Sequence, residues 1–445
     1  MKKIVLLAFA FIVAFADVFA QSEYREVSGI YCGGHIRRGR PGTITKLRNS
    51  GFTYVILFNV DVKPDGTLTT DGDTICYRGE YVFQKTNPYY QQDIANLKTE
   101  PTSITRVEIC IGGWGNGSYG NIRNLINANG TGSNTMLYKN FRALKQAVPE
   151  IDAVNNDTEQ DYDADSAAKF HLMMYRLGYK TTFAPYTAYN YWTSLNNKIR
   201  AQEPDAVDRV MVQCYDGGAY NLNQVGSWNF TGVSERHPGL LDYSNDWSVE
   251  RNLAQFQSWK DEGVATGGFV WLYNDGYDET WDLNGWAAGL NRIYGAVTVP
   301  EDQVVVRLYS EKNFKGYCVS LPPGQYCQGD LAVYGMKAKD ISSVEIVDDC
   351  YQVILYKGTD CKGSRTTKRA SSKSLTTSYD NQVCSVVVEP NPTGINEIGQ
   401  QTFRDYRQQT TDNRNRPQTI YNAAGQRLGK MQKGINIVNG KKILY

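Results

Sequence analysis

The sequence predicts an α/β protein: a closed barrel of eight β/α units, then a small all-β domain and a short terminal β segment. From Glu26 to Ile293, short apolar β-branched runs alternate with amphipathic helical patterns. Around Thr298–Glu301 this gives way to closely spaced strands with glycine turns. Beyond Glu389–Pro392 the chain turns polar, and a last alternating stretch follows.

The chain opens with Lys2 and Lys3, an apolar run broken only by Asp17, and then Val18, Phe19 and Ala20 before Gln21. A short run ending in small residues is the pattern of a cleaved secretory signal over residues 1–20, and it is too short for a membrane anchor. No other segment is long and apolar enough to span a bilayer, so the mature chain is expected to be secreted or held at the cell surface.

The barrel is expected over residues 26–297, with strands at 27–32, 52–60, 105–113, 151–159, 180–187, 208–216, 237–244 and 265–275. Eight is the count a (β/α)8 TIM barrel needs, and roughly 270 residues is its usual size. Helical patterns lie at 133–147, 165–178 and 248–263, and the last two close on Gly178 and Gly263. A doubly wound open sheet would want a glycine-rich phosphate turn after its first strand, and Tyr31–Arg38 has none. The all-β domain follows at 303–389, a Gln/Arg/Thr/Asn-rich linker at 390–417 and the terminal segment at 418–445, where Asn439–Gly440 marks a tight hairpin.

A formal charge of +1 with mixed signs gives no electrostatic footprint for nucleic acid. The 31 tyrosines and 8 tryptophans suit sugar binding, because flat rings with polar edges stack on pyranose faces. Nine cysteines in an exported chain permit disulfides. Cys110 and Cys214 are read as buried hydrophobes, whereas one or two bridges are expected among Cys318, Cys327, Cys350, Cys361 and Cys384. Only three histidines, His35, His171 and His237, are present, which argues against zinc.

Chemistry concentrates on the fourth strand. Alternation puts Asn155, Asp157 and Glu159 on one face, with Glu159 at the carboxyl end where barrel active sites form. Two neighbouring carboxyls repel when ionised, so one is expected to keep its proton near neutral pH and serve as an acid.

Asp152, Asn155, Asp157 and Glu159 stand at the spacing of the Asp-x-x-Asp-x-Asp-x-Glu signature of glycoside hydrolase family 18, which the barrel resembles. Asn155 replaces an aspartate and Ala153 a glycine. Cys110–Gly113 is similar to the third-strand Ser-x-Gly-Gly motif, Gln213–Asp216 to the sixth-strand motif, and Trp271 to the tryptophan under the cleaved sugar. The resemblance implies substrate-assisted hydrolysis of N-acetylglucosamine polymers without a cofactor. Glu159 would be the acid, Asp157 would orient the acetamido group and Tyr215 would donate to its carbonyl. Asn155, Gln213, Asp216, Trp271, Trp114 and Tyr186 are the expected substrate-binding residues, and Tyr189, Tyr220, Tyr243 and Tyr273 are further candidates for the groove. A short connection after the seventh strand implies an open cleft and internal cleavage, of chitin or of the chitobiose core of N-glycans. The alternative is a non-catalytic, lectin-like barrel. A third reading makes the barrel a scaffold for an adhesive surface protein.

The 303–389 segment resembles a βγ-crystallin Greek-key domain, through Tyr309–Gly316 and its partial repeat at Tyr356–Gly363. That resemblance implies calcium ligands at Asp380, Asn381 and Ser385, but Lys339 occupies an acidic position of the paired loop, so weak binding or none is expected. Lys433–Lys442 resembles the C-terminal sorting segments of type IX secretion, which implies that export machinery as a partner.

Overall fold

The computed structural model describes residues 24–34, 36, 40–241, 248–273 and 282–392, with four short strands between 420 and 444. The signal segment, Tyr243 and most of the linker lie outside the described residues. The chain forms two compact units, Met1–Glu389 and Pro390–Tyr445.

The first unit is mixed α/β and begins with eight parallel strands: β1 Ser28–Cys32, β2 Tyr54–Leu57, β3 Arg106–Gly112, β4 Ile151–Asp157, β5 Lys180–Phe183, β6 Val207–Gln213, β7 Glu235–Leu241 and β8 Gly268–Tyr273. They close in the order β1-β8-β7-β6-β5-β4-β3-β2. All eight expected strands are present, most of them shorter than their apolar runs. The fifth stops at Phe183 and the sixth at Gln213, so Tyr186 and Tyr215 lie just past strand ends, in loops over the mouth.

Helices α1 Gly42–Arg48, α2 Tyr90–Leu97, α3 Ser118–Asn129, α4 Met136–Ala147, α5 Ala164–Arg176, α6 Tyr189–Arg200, α7 Val249–Asp261 and α8 Leu283–Tyr294 follow in chain order. Four begin on capping side chains: Thr135 accepts from Tyr138 N–H, Asp163 from Ser166 N–H, Ser248 from Arg251 N–H and Asp282 from Gly285 N–H. Their apolar faces join a continuous layer with the outward strand residues, including Phe141, Phe170, Trp192, Trp259 and Trp286. The barrel interior holds a separate cluster of Tyr31, Tyr54, Ile56, Cys110, Met211 and Phe269.

The sequence pattern missed one feature. After β2 the chain makes a four-stranded antiparallel sheet, from Asp61–Val62 to Glu80–Tyr81. Its strands are two to five residues long, too short to show alternation. Buried Asn140 of α4 clamps it, donating to Gly66 O at 2.6 Å and accepting from Gly79 N–H at 2.7 Å.

The all-β domain has a three-stranded sheet (Lys315–Leu321, Val306–Glu311, Ser343–Ile346) and a four-stranded one (Gly324–Tyr326, Ser385–Pro390, Tyr351–Tyr356, Arg365–Lys368). Between them pack Val306, Leu308, Leu321, Val344, Val353 and Leu355. The expected disulfides are not formed: all nine cysteines are free. Cys318 is exposed on a strand, Cys384 is buried and Cys350 sits in an acidic turn, while the Cys327 and Cys361 thiols lie within hydrogen-bonding reach of each other without being joined. The apolar core closes the domain instead.

This domain is fastened along α8 and to the α1–β2 turn. Buried Asn291 donates to Gly51 O at 2.8 Å and Ala332 O at 2.9 Å while accepting from Ser28 Oγ at 2.7 Å. Arg292 donates to Gly335 O at 2.8 Å, and Lys337 pairs with Asp282 at 2.6 Å.

In the second unit, Ile420–Asn422, Arg427–Leu428, Ile435–Val438 and Lys441–Leu444 form an antiparallel sheet, and Val438 pairs with Lys441. The Asn439–Gly440 tip lies outside the described residues. No helix among the described residues is long and apolar enough to cross a membrane.

Candidate active site

At the carboxyl ends of the strands, Phe58, Gly113, Trp114, Asp157, Glu159, Tyr186, Gln213, Tyr215, Asp216, Gly217 and Trp271 line a cavity of about 510 Å³. Nine residues named from sequence therefore meet in one place: Glu159, Asp157, Tyr215, Gln213, Asp216, Trp271, Trp114, Tyr186 and Gly113. Phe58, at the end of β2, was not anticipated, because an apolar residue closing an apolar strand gives no signal.

Asp157 is the last residue of β4 and is buried. Gln213 Nε2 donates to its Oδ1 at 2.7 Å, and the Cys110 thiol reaches its Oδ2 at 3.9 Å. Gln213 is itself fixed by donating to Ala184 O at 2.9 Å. Burial, and then the charge of Glu159, push the Asp157 carboxyl well above the usual range, while Gln213 and Cys110 pull it down. Glu159 lies two residues beyond, half-exposed in the cavity. Burial, reinforced by Asp216, raises its pKa to about 7. A carboxylic acid that still holds its proton near neutrality is suited to give it to a substrate.

Tyr215 is buried beneath the mouth, and burial with the nearby Asp157 and Glu159 keeps its phenol protonated. Its ring lies nearly parallel to Trp271, with centroids 6.1 Å apart. Trp271 is wedged between Tyr31 at 5.1 Å and the edge of Phe58 at 4.7 Å, leaving a fixed apolar floor. Trp114 stands at the rim and is 89% exposed, unusual for so large an apolar ring.

Asn155 is placed differently from expectation. It is wholly buried below the cavity, accepting from Tyr31 Oη at 3.0 Å and directing its amide at Met211 Sδ at 3.4 Å. The side chain that replaces an aspartate thus braces the barrel interior and is not in the cavity lining. Tyr273 is buried as well, and Tyr189 and Tyr220 line a separate hollow.

Backbone shape positions the acids. Gly112 has φ +119°, and its amide neighbour Gly113 donates to Asp157 O at 2.7 Å. A Cβ on Gly112 would lie 2.1 Å from Asp157 O. Gly112→Ala is expected to cost about 2–4 kcal/mol through strain and displacement of β4, measured by urea unfolding. Unchanged stability would show that the strand end yields freely. At Gly218 a Cβ would fall 2.4 Å from Gln213 O, so glycine lets the loop after β6 fold tightly over the strand.

The expected calcium residues do not assemble. Asp380 pairs with Lys312 at 2.9 Å, and Asn381 accepts from Ser342 Oγ at 3.1 Å. Ser385 is buried, donating to Gly358 O at 2.5 Å and accepting from Cys361 N–H at 2.9 Å. An ammonium stands where a cation would sit and the Ser385 oxygen is committed elsewhere, so this set does not fit a calcium ion.

A closed parallel barrel with an acidic, aromatic mouth and an appended two-sheet β domain is the class these elements define. Solved structures similar to part of the chain include βγ-crystallin domains. One from Flavobacterium johnsoniae is 31% identical over 20% of this chain and 97% of its own, with TM-score 0.19. The N-terminal domain of Protein S is 30% identical over 20% of this chain and 98% of its own, also with TM-score 0.19. A clostrillin double mutant in complex with nickel is 20% identical, covering 19% of this chain and 95% of its own, with TM-score 0.18. The chain carries a βγ-crystallin domain. No family profile and no curated protein matches the chain.

Proposed function

We propose that the protein is a retaining endo-glycosidase acting on N-acetylglucosamine-containing glycans, similar to family 18 glycoside hydrolases, with the eight-stranded barrel as a (β/α)8 catalytic domain. The reading rests on one observation: Glu159, with its pKa raised to about 7, shares a cavity with Asp157, Tyr215 and Trp271.

The glycan would lie across the mouth with one sugar on Trp271. Glu159 gives its proton to the glycosidic oxygen as the C1–O bond breaks, and the bonding pair leaves with that oxygen. The substrate's acetamido oxygen attacks C1 and forms an oxazolinium. Asp157 accepts from the acetamido N–H, which holds the group in line with C1, and Tyr215 Oη donates toward the acetamido oxygen. The Glu159 carboxylate then takes a proton from water, which adds to C1 and opens the ring with retained configuration. No step calls for a metal or cofactor.

The N-terminal sequence supports export, and the terminal segment supports type IX secretion as its route, with the product secreted or surface-held. Incubation with chitooligosaccharides and with a high-mannose glycoprotein, followed by mass spectrometry, separates cleavage from binding. Intact glycans in both mixtures would reject the hydrolase reading, and binding without cleavage would favour a lectin.

The pH profile has a defined sign. Because the Glu159 pKa is raised to about 7, the acid form dominates below that value and is lost above it. On the alkaline limb, kcat/KM is expected to fall about tenfold per pH unit above pH 7. A profile flat to pH 9 would remove Glu159 as the proton donor.

A further inference from the structure

Beside the main cavity lies a second hollow of about 410 Å³ that the proposed chemistry does not use. Thr187, Tyr189, Tyr220, Gln224, Ser227 and Trp228 line most of it. From this hollow we infer a separate pocket for a neutral oligosaccharide, holding a second arm of a glycan whose core lies in the main cavity. The inference takes from the proposed function only the premise that the barrel mouth meets a glycan.

Every side chain lining the hollow is uncharged at neutral pH, so an anionic ligand such as a phosphate finds no partner there. Two large rings remain in water: Tyr220 is 49% and Tyr189 42% exposed. Each is pinned rather than loose. Tyr189 stacks on Phe230 with centroids 5.6 Å apart and planes 20° from parallel, and its hydroxyl donates to Asn229 O at 3.3 Å. Tyr220 donates to Tyr186 O. Trp228 is buried, its indole N–H donating to Asn221 Oδ1 at 2.9 Å. Fixed exposed rings with amide and hydroxyl groups around them match the alternating apolar faces and hydroxyl edges of a sugar, and ordering them costs little entropy on binding. The volume falls within the range of small-molecule pockets.

The two spaces share a wall. The Tyr186 ring lines the main cavity, while its carbonyl accepts from Tyr220 Oη and, at 2.9 Å, from Asn221 Nδ2 on the other side. Likewise the loop after β6 gives Asp216 and Gly217 to the main cavity and Tyr220 and Gln224 to the second. Two hollows divided by one aromatic wall suit a branched ligand more than a single straight chain.

The test uses the full chain carrying Glu159→Gln, so that glycans stay intact. Calorimetric titration would compare chitotriose with a free high-mannose glycan bearing its chitobiose core. Ser227→Trp and Gln224→Trp, each at an exposed position, would fill the second hollow, and thermal melts would confirm that both variants fold. Both are expected to weaken high-mannose binding at least tenfold while leaving chitotriose binding unchanged. Equal high-mannose affinity with and without the filling residues would overturn the pocket, as would a high-mannose glycan that binds no more tightly than chitotriose. If chitotriose does not bind but the branched glycan binds in a Ser227-sensitive manner, the pocket stands and the hydrolase reading falls.

Discussion

Glu159→Gln is expected to lower turnover on a chitooligosaccharide by about 10²–10⁴ and, in the same protein, to raise stability above pH 7. The first effect is the usual scale of losing a positioned acid, since glutamine keeps the shape and the hydrogen-bonding edge but has no proton to give. The second follows from linkage. The folded-state pKa is raised from an ordinary 4.5 to about 7, so the native protein holds this proton more tightly than the unfolded chain does. Stability from this group is therefore fully present below pH 4.5 and is lost as pH rises to about 7. The full shift corresponds to about 3 kcal/mol, and solvent screening at a half-exposed carboxyl reduces that to about 1–2 kcal/mol. A neutral glutamine escapes the penalty. Thermal melts should show the variant more stable at pH 8 and equal to the parent at pH 4. Lost turnover without a pH-dependent gain would mean that Glu159 is ionised in the resting protein and acts some other way. Unchanged turnover would end its role as the acid.

These two effects share one cause. The carboxyl is kept protonated by burial next to Asp216, in a cavity with five aromatic rings in its walls, and an environment that makes a good acid is a poor host for its conjugate base.

How much of this was legible in the sequence depended on the kind of signal. The strands were readable because parallel barrel strands are buried on both faces, and runs such as Ile109–Ile111 or Val210–Val212 are apolar throughout. The acids at Asp157 and Glu159 stood out against such a run by charge alone. Alternation gave the side of the strand but not the depth. Asn155 and Asp157 share a face, yet two residues of rise separate a brace under Tyr31 from a group in the cavity. The short sheet between Asp61 and Tyr81 could not be read, because it is organised by Asn140, a residue distant in sequence. Cysteine count likewise reports only what an oxidising compartment permits: of the five C-terminal cysteines the fold brings Cys327 and Cys361 together, still unbonded, and leaves Cys318, Cys350 and Cys384 in separate surroundings.

At the opposite end of the barrel, Arg106→Met is expected to destabilise the protein by about 3–5 kcal/mol without altering the cavity chemistry. Arg106 is buried and holds three acids together: Glu108 at 2.6 Å, Asp208 at 2.7 Å and Glu26 at 3.6 Å. It also donates to Thr182 Oγ1 at 3.2 Å. Glu108 is wholly buried, with Oε1 also accepting from Thr182 at 3.1 Å and Oε2 lacking a hydrogen-bond partner among the described residues. Methionine replaces most of the arginine's volume but none of its charge, so the variant strands a carboxylate in a medium that solvates it poorly. The cost comes from the stranded partner rather than from the lost attraction, and this can be separated experimentally. Combining Arg106→Met with Glu108→Gln should recover more than half of the loss, because an amide left with one hydrogen bond is far cheaper to bury than an unpaired anion. Urea unfolding of the two single variants and the double variant measures the cycle. A loss below about 1 kcal/mol for Arg106→Met would show that water or structural relaxation supports Glu108 in place of the guanidinium.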